Sequence, residues 1–537
     1  MLVKGESTLA KRVFTLCLHV AVVGLLAFPS PSKALPDHLK QLLNQAEIYE
    51  RQADWEKACE IYESILKFDR TLQEFKGRHL NSLRRSFQVR RHRDASFRKE
   101  VLSLDYGQAL KLYDLVVDAL LDNGLERQRV HPGKLFRKGM EELHWALDSL
   151  EFCQAHMPSA RPTDIRDFQK LLKKTWGGQP NLNRDDAKRC VREIALAASS
   201  ILQLNVTTAI MEFTCGACYA LDDYTAYLTP TELRVLCDSL KGEIGSAGLS
   251  LGEQEGKLVV TDVQPLGPAA EVMPSLLHGQ VLSIDRRAAD QFTPASAQQA
   301  LEGATGSMVE LSVSLPGMPP RTIMLQRRPV PLPSVFSYML TDAIGYVQIS
   351  CFQETTLREL DQALVSLPNM KALLLDLRGN GGGLFDAAID SARRFLTQGV
   401  IASTQSVDPR YNTIYQARNP AALTLPLVVL IDGETASAAE VLAGALKENR
   451  RGRLVGQTTF GKGCTQTVFR LPPAPGGVPT GGLRLTVARF FSPTGAPYSG
   501  RGIVPHIPVA RVSMSEKDND PQLEEARLEA QRLLNMR

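Results

Sequence analysis

Two short runs of uninterrupted apolar residues constrain the fold of this chain more than any other feature. Ala372-Leu373-Leu374-Leu375 and Leu427-Val428-Val429-Leu430-Ile431 place no polar residue on either alternating face. A strand with one wet face alternates, so a continuous run is expected of a strand covered on both faces. Helical patterns follow each run, at Ala387–Leu396 and Ser437–Lys447. Strand followed by helix, twice over, predicts an α/β core.

That core is one of several regions. The chain has 537 residues, room for about three domains at roughly 150 residues each. Residues 35–156 read as helical, with few glycines and apolar residues at spacings of three and four. Within them Ala46, Tyr49, Trp55, Ala58, Tyr62 and Ile65 fall where a tetratricopeptide unit packs its small and aromatic residues. A single unit is a weak signal, and an ordinary helical hairpin explains it as well. If the unit is real, it predicts a protein partner or self-association through this region. Arg84, Arg85, Arg90, Arg91, Arg93, Arg98 and Lys99 form a basic stretch. A solvated helix face is its simplest explanation, and peripheral contact with an anionic membrane is the alternative. Met157–Thr163 reads as a linker into a second helical segment, 157–240, where Thr229 or Thr231 can cap a short helix. From 241 to 328 the pattern turns to β. Leu258–Val260, Val281–Ile284 and Val309–Val313 are the β-prone runs, with a helix start at Gly267-Pro268. The α/β core occupies 329–515, and 516–537 reads as a polar surface helix.

The first 34 residues read as an export signal. Lys4, Lys11 and Arg12 precede the apolar run Val13–Phe28, and Ser32-Lys33-Ala34 offers a cleavage site. The run is short for a membrane span, which needs about 20 residues, although an uncleaved anchor is the rival reading. The expectation is therefore an exported protein, periplasmic or otherwise extracytoplasmic. The net charge of +4 gives nucleic-acid binding no support from bulk charge. Cys215-Gly216-Ala217-Cys218 is a lone CxxC, read as two small buried residues before a redox or disulfide pair. There is no HExxH and no histidine cluster at ligand spacing, so no metal and no cofactor is expected.

Ser437 stands at the end of a buried strand, in Thr435-Ala436-Ser437-Ala438-Ala439-Glu440. Serine is a favoured N-cap, which would explain it structurally. Two other segments favour chemistry. Lys462, in Thr459-Phe460-Gly461-Lys462-Gly463, can serve a serine as general base if burial leaves its amine neutral. The loop Leu377-Arg378-Gly379-Asn380-Gly381-Gly382-Gly383-Leu384 presents backbone N–H groups suited to a developing anion. A phosphate loop would place lysine and Ser/Thr after the glycines, where Leu384-Phe385 stand here. Gln466 can accept a hydrogen bond from the lysine, and Glu440, one helical turn after Ser437, is another polar neighbour. A carboxylate against the amine would hold it charged, which favours the neutral amide.

Together these residues resemble the C-terminal processing, or tail-specific, serine peptidase family with its PDZ domain. The resemblance covers roughly 222–509. It includes Tyr-Leu-Thr-Pro at 227–230, the Asp376–Gly383 loop, the Ser437 turn, the Lys462 turn, Leu485–Phe491 and Gly500–Pro505. It implies a multidomain α+β protein with a helical N-terminal region, a PDZ-like domain at 241–328 and a core of the crotonase/ClpP-like type. It implies Ser437 as nucleophile, Lys462 as base, Gln466 orienting the lysine, and oxyanion donors from the amides of Gly383 and Ala438. It also implies that Ala247, Gly248 and Leu249 bind the C-terminus of a protein or peptide substrate. The chain departs from the family at Pro505-His506, at Leu277–Gln280 and at Arg286-Arg287. Two rivals remain at this level: a catalytically silent scaffold that binds peptide C-termini, and a crotonase-like acyl-CoA enzyme, which export and the PDZ-like region disfavour.

Overall fold

The computed structural model describes residues 36–68, 72–125, 127–178, 181–265, 267–510 and 520–536. The leader-like residues 1–34 lie outside them. Both apolar runs are central strands of one six-stranded sheet. Its order is Val335–Met339, Ile344–Ile349, Ala372–Asp376, Leu427–Ile431, Arg453–Gly456 and Ile507–Pro508. The first pair is antiparallel and every later pair is parallel. Every residue of Ala372–Asp376 and Leu427–Ile431 is buried, as continuous apolar strands require.

Helices Thr356–Ser366, Phe385–Arg393 and Ala438–Glu448 cover one face of this sheet through Leu360, Ile389 and Leu442. Helix Pro521–Asn535 covers the other, setting Ala526 and Ala530 against Leu374, Val428 and Leu430. The tail is therefore not the polar surface helix expected from its sequence. Its buried stripe is Gln522, Ala526, Glu529 and Ala530, small or polar residues that leave little apolar periodicity to read.

A second sheet joins Ala226–Leu228, Gly482–Phe491, Gln398–Gln405 and Thr413–Arg418, with Cys464–Arg470 paired to Gly482–Phe491. Leu483, Leu485 and Val487 of that sheet complete a helical core drawn from Tyr106–Asn123, Pro132–Asp148, Pro162–Trp176, Arg184–Leu202 and Val206–Cys218. This core runs straight across the expected division at 156/157. Met157 is buried in it, so Met157–Thr163 is a turn inside one bundle, not a linker. Its prolines mark a turn in either case, and Pro162 opens the next helix. Cys215 and Cys218 are buried free thiols on helix Val206–Cys218.

At the N-terminal end, Ala46, Ala58, Tyr62 and Ile65 pack together between helices Asp37–Arg51 and Trp55–Phe68. The following helix, Gln73–Arg93, carries the arginines of the basic stretch up to Arg93, with Arg98 and Lys99 in the short helix Phe97–Val101, and its arginines do not form one solvated face. Arg85 lies between the rings of Trp55 and Trp145, at 4.4 and 5.1 Å. Arg84 pairs with Asp223 at 3.5 Å, and Arg91 is buried against Glu142 and Glu212. Arg93, Arg98 and Lys99 are exposed. Charge density along a helix does not reveal which guanidinium groups meet aromatic and acidic partners from distant segments. The membrane-contact alternative thereby loses most of the exposed charge it needed.

Residues 249–326 form a small domain with the sheet order Leu249–Gln254, Lys257–Val263, Gln280–Ile284, Met308–Ser314, Arg321–Gln326. Helices Pro268–Val272 and Pro294–Leu301 close its own apolar core. A three-stranded ladder, Arg328–Pro331, Glu243–Ser246 and Glu302–Gly303, ties it to the chain on either side. No helix among the described residues is long and apolar enough to cross a membrane.

Candidate active site

Strand Leu427–Ile431 runs out at Asp432, whose carboxylate organises the turn beyond it. It accepts from the N–H groups of Glu434 and Thr435, each at 2.9 Å, and of Gly379 at 3.0 Å. One side chain thus folds the turn and ties it to the glycine loop. Asn380 adds a second tie: its carbonyl accepts from Ala436 N–H at 2.9 Å. Its side-chain amide donates to the Ile349 carbonyl, and its Oδ1 accepts from Gly382 N–H. The chain then enters helix Ala438–Glu448 through Ser437, at φ +56° and ψ −119°. Such a backbone costs a non-glycine residue on the order of 1–3 kcal/mol. A strained strand-to-helix turn of this kind holds a serine hydroxyl out toward a cleft.

The glycine loop approaches that turn closely. A Cβ on Gly382 would stand 2.8 Å from Ser437 Cβ, and one on Gly383 would stand 2.0 Å from the Phe352 carbonyl oxygen. Both glycines have positive φ, so side chains are excluded twice over. Within the described residues the N–H groups of Gly383 and Ala438 have no intramolecular acceptor. They stand on either side of Ser437, on the loop and at the first residue of the helix.

Glu440 joins the serine turn to the lysine turn. Its fully buried carboxylate accepts from Ser437 N–H at 2.9 Å and Lys462 N–H at 2.9 Å. It also accepts from Gly461 N–H at 2.7 Å and Thr459 Oγ1 at 2.6 Å. Burial pushes this carboxyl up to about 7, against the four donors, which favour its ionised form. The contact expected of Glu440 is real, but it engages the lysine's backbone. The spacing Ser437-x-x-Glu440 is that of a capping box, a signal already present in the sequence.

Lys462 is 6% exposed. Its Nζ lies 4.6 Å from the centroid of the Tyr224 ring. Tyr224 is itself 5% exposed and packs with Cys59 and Leu83 of the N-terminal helices and with Cys464. Asp222 sets the approach of that segment by accepting from the N–H groups of Tyr224 and Thr225, at 2.7 and 2.8 Å. The sequence marks this segment by its helix cap, a place that Thr229 does fill, and by the Tyr-Leu-Thr-Pro run at 227–230. Sequence reasoning misses Tyr224, because nothing local shows that the ring meets a lysine so far along the chain.

A single cleft brings together Ser437, Lys462, Gln466 and Gly383, lined also by the apolar Leu236, Leu240, Leu384, Phe385 and Val468 and by Arg484. Gln466 holds its amide nitrogen toward the Cys464 carbonyl and Thr486 Oγ1, each at 3.3 Å. Ala247, Gly248 and Leu249 do not line this cleft; they lead into the first strand of the small domain, with Ala247 and Leu249 buried in its core. There Ala247 N–H donates to the Leu301 carbonyl at 3.2 Å and Gly248 N–H to Ser246 Oγ at 3.1 Å. Two backbone N–H groups of the loop expected to bind the substrate C-terminus thus already have acceptors. Among the described residues no group of three His, Cys, Asp or Glu could hold a metal ion.

Comparison with known proteins shows which family the chain resembles. Residues 343–509 match the profile of peptidase family S41. The chain is 31% identical over 303 residues to the carboxy-terminal-processing protease of Bartonella bacilliformis, covering 55% of this chain and 68% of that one. It is 34% identical over 294 residues to the carboxyl-terminal-processing protease of a Picosynechococcus species, covering 53% and 69%. It is 33% identical over 310 residues to the chloroplastic carboxyl-terminal-processing peptidase 2 of Arabidopsis thaliana, covering 54% of this chain and 58% of that relative's length.

Proposed function

The chain belongs to peptidase family S41, and from that premise we propose that it is a serine endopeptidase cleaving protein substrates near their C-termini. The observation that carries the reading is the cleft itself, which joins a serine on a strained turn to a buried lysine and a glycine loop. Ser437 Oγ attacks the peptide carbonyl while neutral Lys462 Nζ takes its proton. The Gly383 and Ala438 amides hold the tetrahedral oxyanion. Lys462 returns the proton to the leaving amine, and water, deprotonated in turn by the lysine, hydrolyses the acyl-enzyme. Burial favours the neutral amine that this requires, while the Tyr224 ring favours the ammonium by about 0.5–2 kcal/mol. Gln466, fixed by Thr486, orients the amine.

In the same reading the core is of the crotonase/ClpP-like type, and the small domain is PDZ-like and receives substrate. The N-terminal helices serve a partner or a second copy, and the protein works outside the cytoplasm. The test compares the purified chain with Ser437→Ala and Lys462→Ala on an unstructured protein with an apolar C-terminus. The expected result is cleavage by the parent chain and by neither variant. Equal cleavage by all three would sink the mechanism. Binding of the C-terminal peptide without cleavage by any of them would favour a silent scaffold.

A further inference from the structure

Resting on the protease reading, we propose that Arg484 is the receptor for the substrate's terminal α-carboxylate within the catalytic cleft. The strand ladder places it there. Val468 pairs with Arg484, and Gln466 with Thr486, across the antiparallel strands Cys464–Arg470 and Gly482–Phe491. Directly opposed residues share a face of a sheet, as do residues two apart. Arg484 therefore stands on the same face as Gln466, two residue pairs farther along, about 7 Å of strand rise away. Both line the cleft that contains Ser437 and Lys462.

The guanidinium group is anchored but not neutralised. Arg484 Nε donates to the Tyr224 carbonyl at 3.0 Å. That bond fixes the plane of the fork, and no carboxylate among the described residues forms an ion pair with it. The nearby Asp222 and Asp223 are committed elsewhere. Asp222 accepts from the Tyr224 and Thr225 amides, and Asp223 pairs with Arg84. A fixed, half-buried guanidinium beside an apolar wall of Leu236, Leu240, Leu384, Phe385 and Val468 suits a planar carboxylate bound through two parallel N–H groups.

The loop expected to take a carboxylate is less suited to it, because the Ala247 and Gly248 amides already have acceptors. A carboxylate held at Arg484 would also set how many residues lie beyond the scissile bond.

The test uses one peptide sequence in three forms: free acid, C-terminal amide, and amide with a terminal glutamate. Each is given to the full chain, to Arg484→Gln and to Arg484→Lys. The expected acid-to-amide ratio of kcat/KM is about 10- to 100-fold for the parent chain, the range of a charged hydrogen-bonded pair. It falls to about one in Arg484→Gln, and Arg484→Lys keeps part of it. A ratio near one in the parent chain overturns the proposal. So does an acid preference that survives in Arg484→Gln, which would assign the carboxylate to the small domain. A glutamate-terminated amide cleaved as fast as the acid overturns the terminal assignment in favour of a side-chain carboxylate. The same ratio is read as affinity on Ser437→Ala. Absence of turnover in the parent chain would sink the protease reading while leaving the Arg484 comparison decisive by itself.

Discussion

The Ser437 cleft and the Arg91 cluster both bury ionisable groups, and their surroundings differ. In the helical bundle Arg91 Nη2 reaches Glu142 at 3.1 Å and Glu212 at 3.0 Å. His92 Nε2 lies 2.8 Å from Glu212, and His156 lies 3.0 Å from His92. Burial raises the Glu142 carboxyl, and the neighbouring Glu212 adds to that. Burial would raise Glu212 too, but Arg91 and His92 outweigh it and hold that carboxyl low. Perturbed carboxyls of this kind invite a functional reading. Yet the cluster is sealed among helices, each charge answered by a partner. At the Ser437 cleft one buried carboxylate, Glu440, is spent on three backbone amides and the Thr459 hydroxyl, while Ser437, Lys462 and Gly383 line a cleft. What separates the two is access and strain, more than the size of the electrostatic perturbation.

The largest effect that would break this comparison is at Ser437. Ser437→Ala should lower peptidase activity on the order of 10⁴- to 10⁶-fold with an unchanged thermal midpoint, read by a cleavage assay and calorimetry. If activity persists, the cleft is not the catalytic one. At the sealed cluster the pattern inverts. Arg91→Ala removes the ion-pair partner of buried Glu142 and leaves Glu212 only His92 and Gln88, and should cost about 3–5 kcal/mol of stability in denaturant titration. The fraction that remains folded should keep its specific activity. Selective loss of activity in a fully stable Arg91→Ala chain would show that the cluster reaches the cleft functionally.

Glu440 sits between these extremes. Glu440→Gln places one carbonyl oxygen where two oxygens serve four donors. It should reduce activity about 10- to 100-fold, with a smaller loss of stability. Its pH signature has a definite sign. The folded-state carboxyl is raised to about 7, so between about pH 4.5 and 7 the folded chain holds a proton that the unfolded chain has released. Stability from this group is present below that window and declines as pH rises through it, by on the order of 1–3 kcal/mol. Denaturation midpoints across that range should flatten in Glu440→Gln; an unchanged slope would assign the titration to another group. The smallest expected effect is at Tyr224. Tyr224→Leu removes the ring beside Lys462 while keeping an apolar side chain against Cys59, Leu83 and Cys464, and should change kcat by less than about tenfold. A loss as large as that of Ser437→Ala would mean the ring does more than position the amine.

Much of the site was legible along the chain because its parts are local. The glycine loop, the serine turn and the lysine turn each end or begin an element, and turn chemistry is written in neighbouring residues. The expected strands of the small domain at 258–260, 281–284 and 309–313 lie inside observed strands for the same reason. The errors share a different cause. The basic stretch, the 157–163 turn and the tail helix each required knowing what packs against them. Arg85 between two tryptophans, Met157 in the bundle core and Ala526 beneath the sheet are contacts between distant segments.

The amino-acid sequence alone determined the parallel core, the serine at its strand-to-helix turn and the glycines that let the loop approach it. Those features come from alternation, turn residues and the exclusion of side chains, which act over a few residues. Only the tertiary structure decided that Lys462 is buried beneath Tyr224, that Glu440 ties two turns together, and that Arg484 faces the cleft without an acidic partner. Burial and charge pairing are properties of surfaces brought together from far apart, and they exist only once those surfaces have met.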